Sequence, residues 1–350
     1  MTILRLACTC ALLALPVPLW ANDGFGGISA TGLTFAQTDA VAMESEDLFI
    51  GIDRIAVDYV FRNTTTQDVT GEVIFPLPPI SLAAMMNSDW NLPDDRGRDN
   101  LLNFEAKVDG QVVPVQIDRI AVIEPEWVEN RPLSEQYDTP GRDVTADLAR
   151  YGIPLTVDTE ALSAMLLALD PDTQAQLAAA GLADFYTIDG ESGPATEVYP
   201  AWSVVLRYHW TQTFPAGKAV AISHAYENRP SGGLFGWTHP PVEDYQKDDE
   251  ARYCIDNGTS KAMAKALRVE GQDYAMGMDY RIAYVLRTAN SWAGPIGKFR
   301  LTLDKGSPRN VISLCAEGIE KTSPTTFVME KTNFTPTRDL EILVVQAMGN

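Results

Sequence analysis

Histidine is the side chain best suited to acid–base chemistry near neutral pH, and this chain contains three. His209, His224 and His239 are followed by Trp, Ala and Pro, so none begins the metalloprotease pattern H-E-x-x-H. The stretch Gly27–Gly32 has the wrong spacing for a nucleophile elbow, and neither a P-loop nor a dinucleotide fingerprint occurs. The sequence therefore predicts no catalytic residue, no cofactor and no metal site.

The histidines that fall in strand-like segments have different predicted surroundings. His209 shares a polar strand face with Arg207, so we expect it to be solvated. His224 shares its face with Ile222 and Tyr226, which places it either in the core or beside a cleft. Two interpretations stay open for His224: a hydrogen-bonded core histidine, or a functional base or ligand.

A loop at Asn228–Pro241 combines flexible glycines with Phe235, Trp237 and His239. An exposed aromatic ring offers a flat face to a sugar or a peptide, and glycines let the backbone adapt. The alternative is a loop tip folded back over the core. The candidate ligand contacts are His224, Tyr226, Phe235, Trp237 and His239.

Carboxylates are abundant, and two acidic clusters could offer oxygen ligands to calcium. One joins Asp94-Asp95 with Asp99, and the other is Asp248–Glu250. Neither has EF-hand spacing, so solvated acidic loops are the preferred interpretation. A pair of acid and base carboxylates is defined by its separation in space, which leaves a carboxylate-dependent hydrolase open as an alternative.

The elements that would position these residues are mainly β-strands, because apolar residues alternate along much of the chain. In Asp53–Arg62 the apolar residues fall on one face. The segments Phe104–Val108 and Val113–Ile117 alternate on either side of Asp109-Gly110, a pair that favours a tight turn. Pro114 indicates that the second of these strands lies at a sheet edge.

Helical spacing replaces this alternation in the middle of the chain. Apolar residues recur at helical intervals in Asp158–Leu169, and Asp170-Pro171 is typical of a helix start. Gly181 is predicted to end the second helix, and one further helix is predicted over Ser260–Glu270 with Thr259 as its N-cap.

These patterns predict a mainly β fold, an antiparallel β-sandwich with two β regions and a small helical insertion. The N-terminal β-sandwich region would cover residues 22–142, the insertion 143–184, and a β-rich region with one helix 185–350.

Charge narrows the class of partner. Lys plus Arg number 27 and Asp plus Glu 47, which gives a formal net charge of −20. Nucleic-acid binding needs clustered cations, so we expect no nucleic-acid partner.

Residues 1–21 have the pattern of a secretory signal peptide: one early arginine, an apolar run, then Ala21 before polar residues. That run is too short to span a membrane, so we expect no transmembrane segment in the mature chain. Removal of residues 1–21 would leave Cys254 and Cys315 as the cysteines, which predicts a disulfide in an oxidising compartment. The expected location is periplasmic or extracellular.

Several motifs resemble a bacterial exported family named domain of unknown function 4424. They lie at Ile28–Ile50, Val57–Pro78, Asn290–Cys315 and Phe334–Val345, in this order. The resemblance implies export, a β-rich fold and the cysteine pair, and it supplies no activity to assign to any residue. Val57–Pro78 alone is also similar to a strand–turn–strand of the vault and inter-alpha-trypsin domain.

The favoured function is an exported, non-enzymatic module that binds an envelope protein, a peptide or a glycan. The alternatives are the carboxylate-dependent envelope hydrolase and a scaffold that adds strands at an exposed sheet edge near Val112–Ile117.

Overall fold

A computed structural model describes residues 24–29, 32–35, 39–87, 90–126, 139–190, 193–268, 276–286 and 292–347. The fold is mainly β with small helical parts, which confirms the predicted class. The predicted signal peptide, residues 1–21, lies outside the described residues and stays a prediction. No helix in the described ranges is both long enough and apolar enough to cross a membrane.

The described strands are distributed from residue 24 to residue 347. In chain order they are β1 (Gly24–Ser29), β2 (Gly32–Phe35), β3 (Val41–Gly51), β4 (Arg54–Asn63), β5 (Val69–Pro76), β6 (Ile80–Ser81), β7 (Glu105–Val108), β8 (Gln111–Val113), β9 (Gln116–Ile123), β10 (Arg142–Asp143), β11 (Ala183–Gly190), β12 (Gly193–Pro200), β13 (Ser203–Phe214), β14 (Ala219–Glu227), β15 (Ser231–Gly236), β16 (Met276–Tyr284), β17 (Ile296–Asp304), β18 (Val311–Leu314), β19 (Ile319–Lys321), β20 (Thr326–Phe334) and β21 (Leu340–Ala347).

The described helices are short and lie in three parts of the chain. They are α1 (Leu82–Asn87), α2 (Thr145–Arg150), α3 (Thr159–Leu167), α4 (Pro171–Ala179), α5 (Asp244–Arg252) and α6 (Asn257–Leu267).

Two large sheets face each other across the main core. The first has the order β10-β9-β13-β5-β1-β2, with β6 also paired to β13, and the second has the order β19-β20-β17-β3-β4-β14-β7-β8. Their pairings are antiparallel except for β3 with β17, which run parallel. Rings from the two sheets meet in the core: the Phe104 and Tyr208 centroids lie 4.7 Å apart.

The alternation in β4 explains why it belongs to this core. Ile55, Val57, Tyr59 and Phe61 are each at most 2% exposed, as their spacing predicted. Complete burial of one such side chain contributes roughly 1.5–3 kcal/mol, so four on one strand hold β4 firmly in register.

Strands from the N-terminal and C-terminal regions share both large sheets. Strand β13 lies between β5 and β9, β14 pairs with β4, and β17 pairs with β3. The predicted boundaries at residues 142 and 185 therefore do not separate one sheet from another.

The hairpin at Asp109-Gly110 forms as predicted, with φ values of 48° and 78° at the two turn residues. The strand that follows is shorter than the expected Val113–Ile117 run. It ends at Val113, and the chain resumes at Gln116 as β9 of the first sheet. Proline at position 114 cannot donate to a ladder, which fits this switch between sheets.

The helical insertion has the predicted N-cap at Asp170, an N-cap at Asp158 that the sequence analysis did not single out, and Gly181 just after the C-cap Ala180. The Asp158 carboxylate accepts a hydrogen bond from the Ala161 amide, and Asp170 accepts one from the Thr173 amide, each at 3.0 Å. The chain then continues into the hairpin of β11 and β12, which pair with each other in a two-stranded sheet.

A third sheet with the order β15-β16-β21-β18 packs between the main core and two helices. One face, which includes Ile282 and Ile342, joins the main core. The other face joins a second core with the helix residues Met263 and Leu267.

The prediction of one helix in the C-terminal region is wrong, because both α5 and α6 are present there. Helix α5 buries the polar residues Gln246 and Asp249, so it carries no apolar stripe. Helix α6 begins earlier than predicted: its N-cap is Asp256, which accepts from the amide of Thr259.

The predicted disulfide is present: Cys254, just after α5, is bonded to Cys315, just after β18.

Candidate functional site

His224 lies inside the main core and is 2% exposed. Its ring centroid is 4.9 Å from that of Phe75 and 5.4 Å from that of Phe104. These rings stand between β14 and the first sheet, so the structure places His224 among aromatic side chains of the core.

The aromatic residues of the Asn228–Pro241 segment fold back onto the second core. Residues 231–236 form strand β15, and Phe235 and Trp237 are 2% and 1% exposed. The Trp237 indole donates to the hydroxyl of Ser260 at 3.1 Å, and the His239 Nδ1 lies 2.9 Å from the same oxygen. This is the arrangement of a loop packed on the core, and it turns neither flat ring face towards solvent.

The prediction of a solvated His209 is wrong. His209 is 5% exposed, and its burial is tolerated because carboxylates on both adjacent strands give its ring nitrogens polar partners. Its Nδ1 lies 3.0 Å from Glu72 Oε2 on β5, and its Nε2 lies 3.3 Å from Asp118 Oδ2 on β9. The Thr211 hydroxyl also donates to Glu72.

The two acidic clusters have different structures. Asp94, Asp95 and Asp99 are exposed in a loop, as expected. Asp248–Glu250 is not a loop but part of α5, where Asp249 is buried and bound to Arg281. Within the described ranges, no group of three metal-binding side chains is found.

A cleft of about 710 Å³ lies where the three sheets meet, and we call it the junction cleft. Small-molecule sites typically enclose roughly 300–1,000 Å³. Its apolar and aromatic lining is supplied by Ile55, Phe75, Leu77, Pro78, Pro79, Ile80, Ala84, Trp90, Leu92, Leu101, Leu102, Tyr226, Pro230, Ile282, Ala283, Tyr284 and Val285. Its polar lining is supplied by Asn91, Glu227, Asn228, Arg229, Ser231 and Arg281.

The strand ends explain why the cleft forms at this junction. Strand β5 ends at Pro76, and the prolines at positions 78 and 79 interrupt the ladder before the short strand β6 pairs again with β13. Strand β14 likewise ends at Glu227, and residues 228–230 lead into β15 of the third sheet. The buried residues Leu101 and Ile282 form the floor, and the exposed residues Asn91 and Arg229 lie at the rim.

Two loop amides fix the rim. Asn91 donates to the carbonyl of Pro230 at 3.0 Å, and Asn228 donates to the carbonyl of Gly51 at 2.8 Å. These bonds join segments distant in sequence, so they hold the mouth of the cleft in one shape.

The carboxylate of Glu227 accepts hydrogen bonds from three side chains at the rim. Arg229 lies 2.7 Å and Arg98 3.2 Å from its Oε2, and Asn103 donates to its other oxygen. The hydrogen bond from Arg229 is the main cause that lowers the pKa of Glu227 below its ordinary value, so this carboxylate is charged at neutral pH.

Arg281 lies on the opposite wall and binds two buried carboxylates. Its Nη atoms lie 2.8 Å and 2.9 Å from the two oxygens of Asp249, and its Nε lies 2.7 Å from Asp279. Burial opposes the charge of Arg281, but the hydrogen bonds that it donates to Asp249 and its electrostatic interactions with Tyr253, Asp249 and Asp279 outweigh burial and raise its pKa.

Comparison with known proteins decides the family. The profile described as Domain of unknown function (DUF4424) matches residues 21–343. The chain belongs to this family.

Among solved structures, this DUF4424 chain is similar to a protein of Legionella pneumophila described as a putative nutrient binding protein. The two share 17% identity with a TM-score of 0.42, over 93% of this chain and 72% of that one. None of the curated proteins matches.

Of the five predicted ligand contacts of this DUF4424 protein, Tyr226 lines the junction cleft and the other four do not. Sequence reasoning missed Trp90, Arg229 and Arg281. Signals could have pointed to two of them: the prolines at positions 78 and 79 before Trp90, and the charged residue Arg281 within an alternating strand.

Proposed function

We propose that the protein is a non-enzymatic binding module that holds a small, predominantly apolar molecule in the junction cleft. The observation that carries this proposal is a space of about 710 Å³ lined mainly by apolar and aromatic side chains. Removal of such a ligand's surface from water favours binding by about 25 cal/mol per Å² before the entropic costs of association.

The hydrolase alternative finds less support in this cleft. A two-carboxylate mechanism needs an acid and a base on opposite sides of the scissile bond. Among the described lining residues, Glu227 is the one carboxylate, and Arg229 and Arg98 keep it in ion pairs. His224 lies behind Phe75 and does not line the space.

The peptide, glycan and scaffold partners lose part of their support. Phe235 and Trp237 are buried, and edge strand β8 offers three residues, Gln111–Val113, for strand addition. We also propose that the protein is exported to the periplasm or the cell exterior. The pattern of residues 1–21 and the disulfide between Cys254 and Cys315 support this location.

Ala283 provides a test of the binding proposal, because it is an exposed alanine that lines the cleft. We expect the neutral fluorescent probe N-phenyl-1-naphthylamine to bind the protein saturably, with one site per chain. Ala283→Trp fills the space with an indole, so the dissociation constant should rise at least about tenfold.

Ala221→Trp is the matched control, since Ala221 is an exposed alanine on β14 away from the cleft lining. It should bind the probe like the wild type. Absence of saturable binding, or equal weakening by both substitutions, contradicts the proposal.

A further inference from the structure

The rim of the junction cleft carries an excess of positive charge on the side of Glu227. Two guanidinium groups, Arg98 and Arg229, share this single carboxylate. Asn103 occupies the other carboxylate oxygen, so the acceptor sites of Glu227 are largely used.

Of the two arginines, Arg229 is the one that lines the cleft. Its side chain is 35% exposed, and in the described part of the chain its ion pair is made through one Nη atom to Glu227. A guanidinium has five N–H donors in a planar fork that matches a carboxylate. Arg229 therefore retains donor capacity at the mouth of an apolar space.

Arg281 differs in this respect. Its Nε and both Nη atoms already donate to Asp279 and Asp249, and these two carboxylates outnumber its single charge. An anionic ligand would consequently be placed at the Arg229 side of the cleft and not at the Arg281 side.

We infer that the ligand is an anionic amphiphile with a carboxylate head, whose head binds Arg229 while its apolar part fills the junction cleft. This inference rests on the proposed function and specifies the class of ligand. A cationic head would meet the excess positive charge of Arg98 and Arg229, and a sugar would leave most of its hydroxyls against apolar walls.

The net charge of the whole chain, −20, limits how much negative charge such a head can carry. Screening confines the repulsion to about 8–10 Å at ordinary salt, so a single carboxylate at Arg229 is tolerated. A head with several negative charges would be repelled by the acidic surface more strongly.

The test compares 11-(dansylamino)undecanoic acid with its methyl ester, which has the same apolar part and an uncharged head. The wild type should bind the acid about tenfold more tightly than the ester, because the ester lacks the charge-assisted hydrogen bond. Arg229→Gln should remove most of this preference by weakening the acid, with little change for the ester.

Two further variants make the result specific. Arg229→Lys retains the charge and should keep part of the preference. Arg309→Gln removes an exposed arginine that does not line the cleft and should keep all of it. The fold should persist in Arg229→Gln, because Arg98 and Asn103 still bind Glu227.

The outcomes separate the inference from the proposed function. Equal affinity of the wild type for acid and ester, or an unchanged preference in Arg229→Gln, overturns the inference. If the neutral naphthylamine still binds in that case, and Ala283→Trp still weakens it, the cleft remains the binding site. If neither the acid, the ester nor the naphthylamine binds, both proposals are wrong.

Discussion

The ion pair of Asp249 with Arg281 ties a polar helix to the wall of the junction cleft. Asp249 is 5% exposed on α5, while Arg281 lies on β16 with its side chain about one third exposed. The contact is bidentate, which is the strongest geometry for this pair of groups. Helix α5 lacks an apolar stripe, so polar contacts hold it on the third sheet: this ion pair and the hydrogen bonds that Tyr245 and Gln246 donate to the carbonyl of Gly236.

We expect Asp249→Asn to lower the free energy of unfolding by about 1–2 kcal/mol, because Arg281 loses a charged partner in a partly buried place. Denaturant unfolding followed by circular dichroism measures this change. The neighbouring Asp248 is exposed on the same helix, so Asp248→Asn should leave the unfolding midpoint unchanged. Equal effects of the two substitutions would show that net charge, and not the ion pair, sets the stability.

At the scale of elements, the disulfide connects two segments that no ladder joins. Cys254 follows α5 and Cys315 follows β18, with a sequence separation of 61 residues. Closing a loop of this length restricts the unfolded chain, which stabilises the folded protein by about 4 kcal/mol in the chain-entropy model.

The double variant Cys254→Ser/Cys315→Ser is therefore expected to lose up to about 4 kcal/mol of the free energy of unfolding. Urea titrations of the wild type in oxidised and reduced form provide the comparison. The reduced wild type should match the double variant, since both lack the cross-link. A variant as stable as the oxidised wild type would contradict the expected contribution.

The elements that the sequence predicted well are those whose signal is local. Alternation placed β4 in the core, and Asp109-Gly110 marked a turn, because each depends on adjacent residues. Helix α5 was not predicted because its buried residues are the polar Gln246 and Asp249, which leave no apolar periodicity in the sequence. His209 was misplaced because its carboxylate neighbours come from β5 and β9, which are distant in sequence.

The junction cleft could not be predicted from local sequence patterns either, because its lining residues are distant in sequence. Its walls come from strands β4, β5, β6, β14, β15 and β16, from α1 and from the loops that connect them, and only the sheet order brings these together. Tyr226 could be singled out because it lies on the apolar face of an alternating strand. The roles of Arg229 and Arg281 in the cleft depend on ion pairs with Glu227 and Asp249, which become visible only in the folded structure.

At the scale of the whole molecule, interleaved strands make the two β regions depend on each other. The central neighbours of β3, β4 and β5 are β17, β14 and β13, all from the C-terminal region. A chain that lacks those three strands would expose the inner faces of both large sheets to water. In contrast, β11 and β12 pair with each other, and Tyr186 and Ile188 near their turn are 52% and 43% exposed.

We therefore expect a fragment of residues 39–201 to show no cooperative unfolding transition and little near-ultraviolet circular dichroism, because its strands lack their central partners. The control is a variant of the full chain with a shorter β11–β12 hairpin. The dipeptide Asn-Gly replaces residues 187–196, so that it joins Tyr186 to its paired residue Glu197 by a tight turn. That variant should unfold cooperatively, with a midpoint close to the wild type. Cooperative unfolding of the isolated fragment would show that the N-terminal region is an independent domain. The strands shared with the C-terminal region would then not be required for its stability.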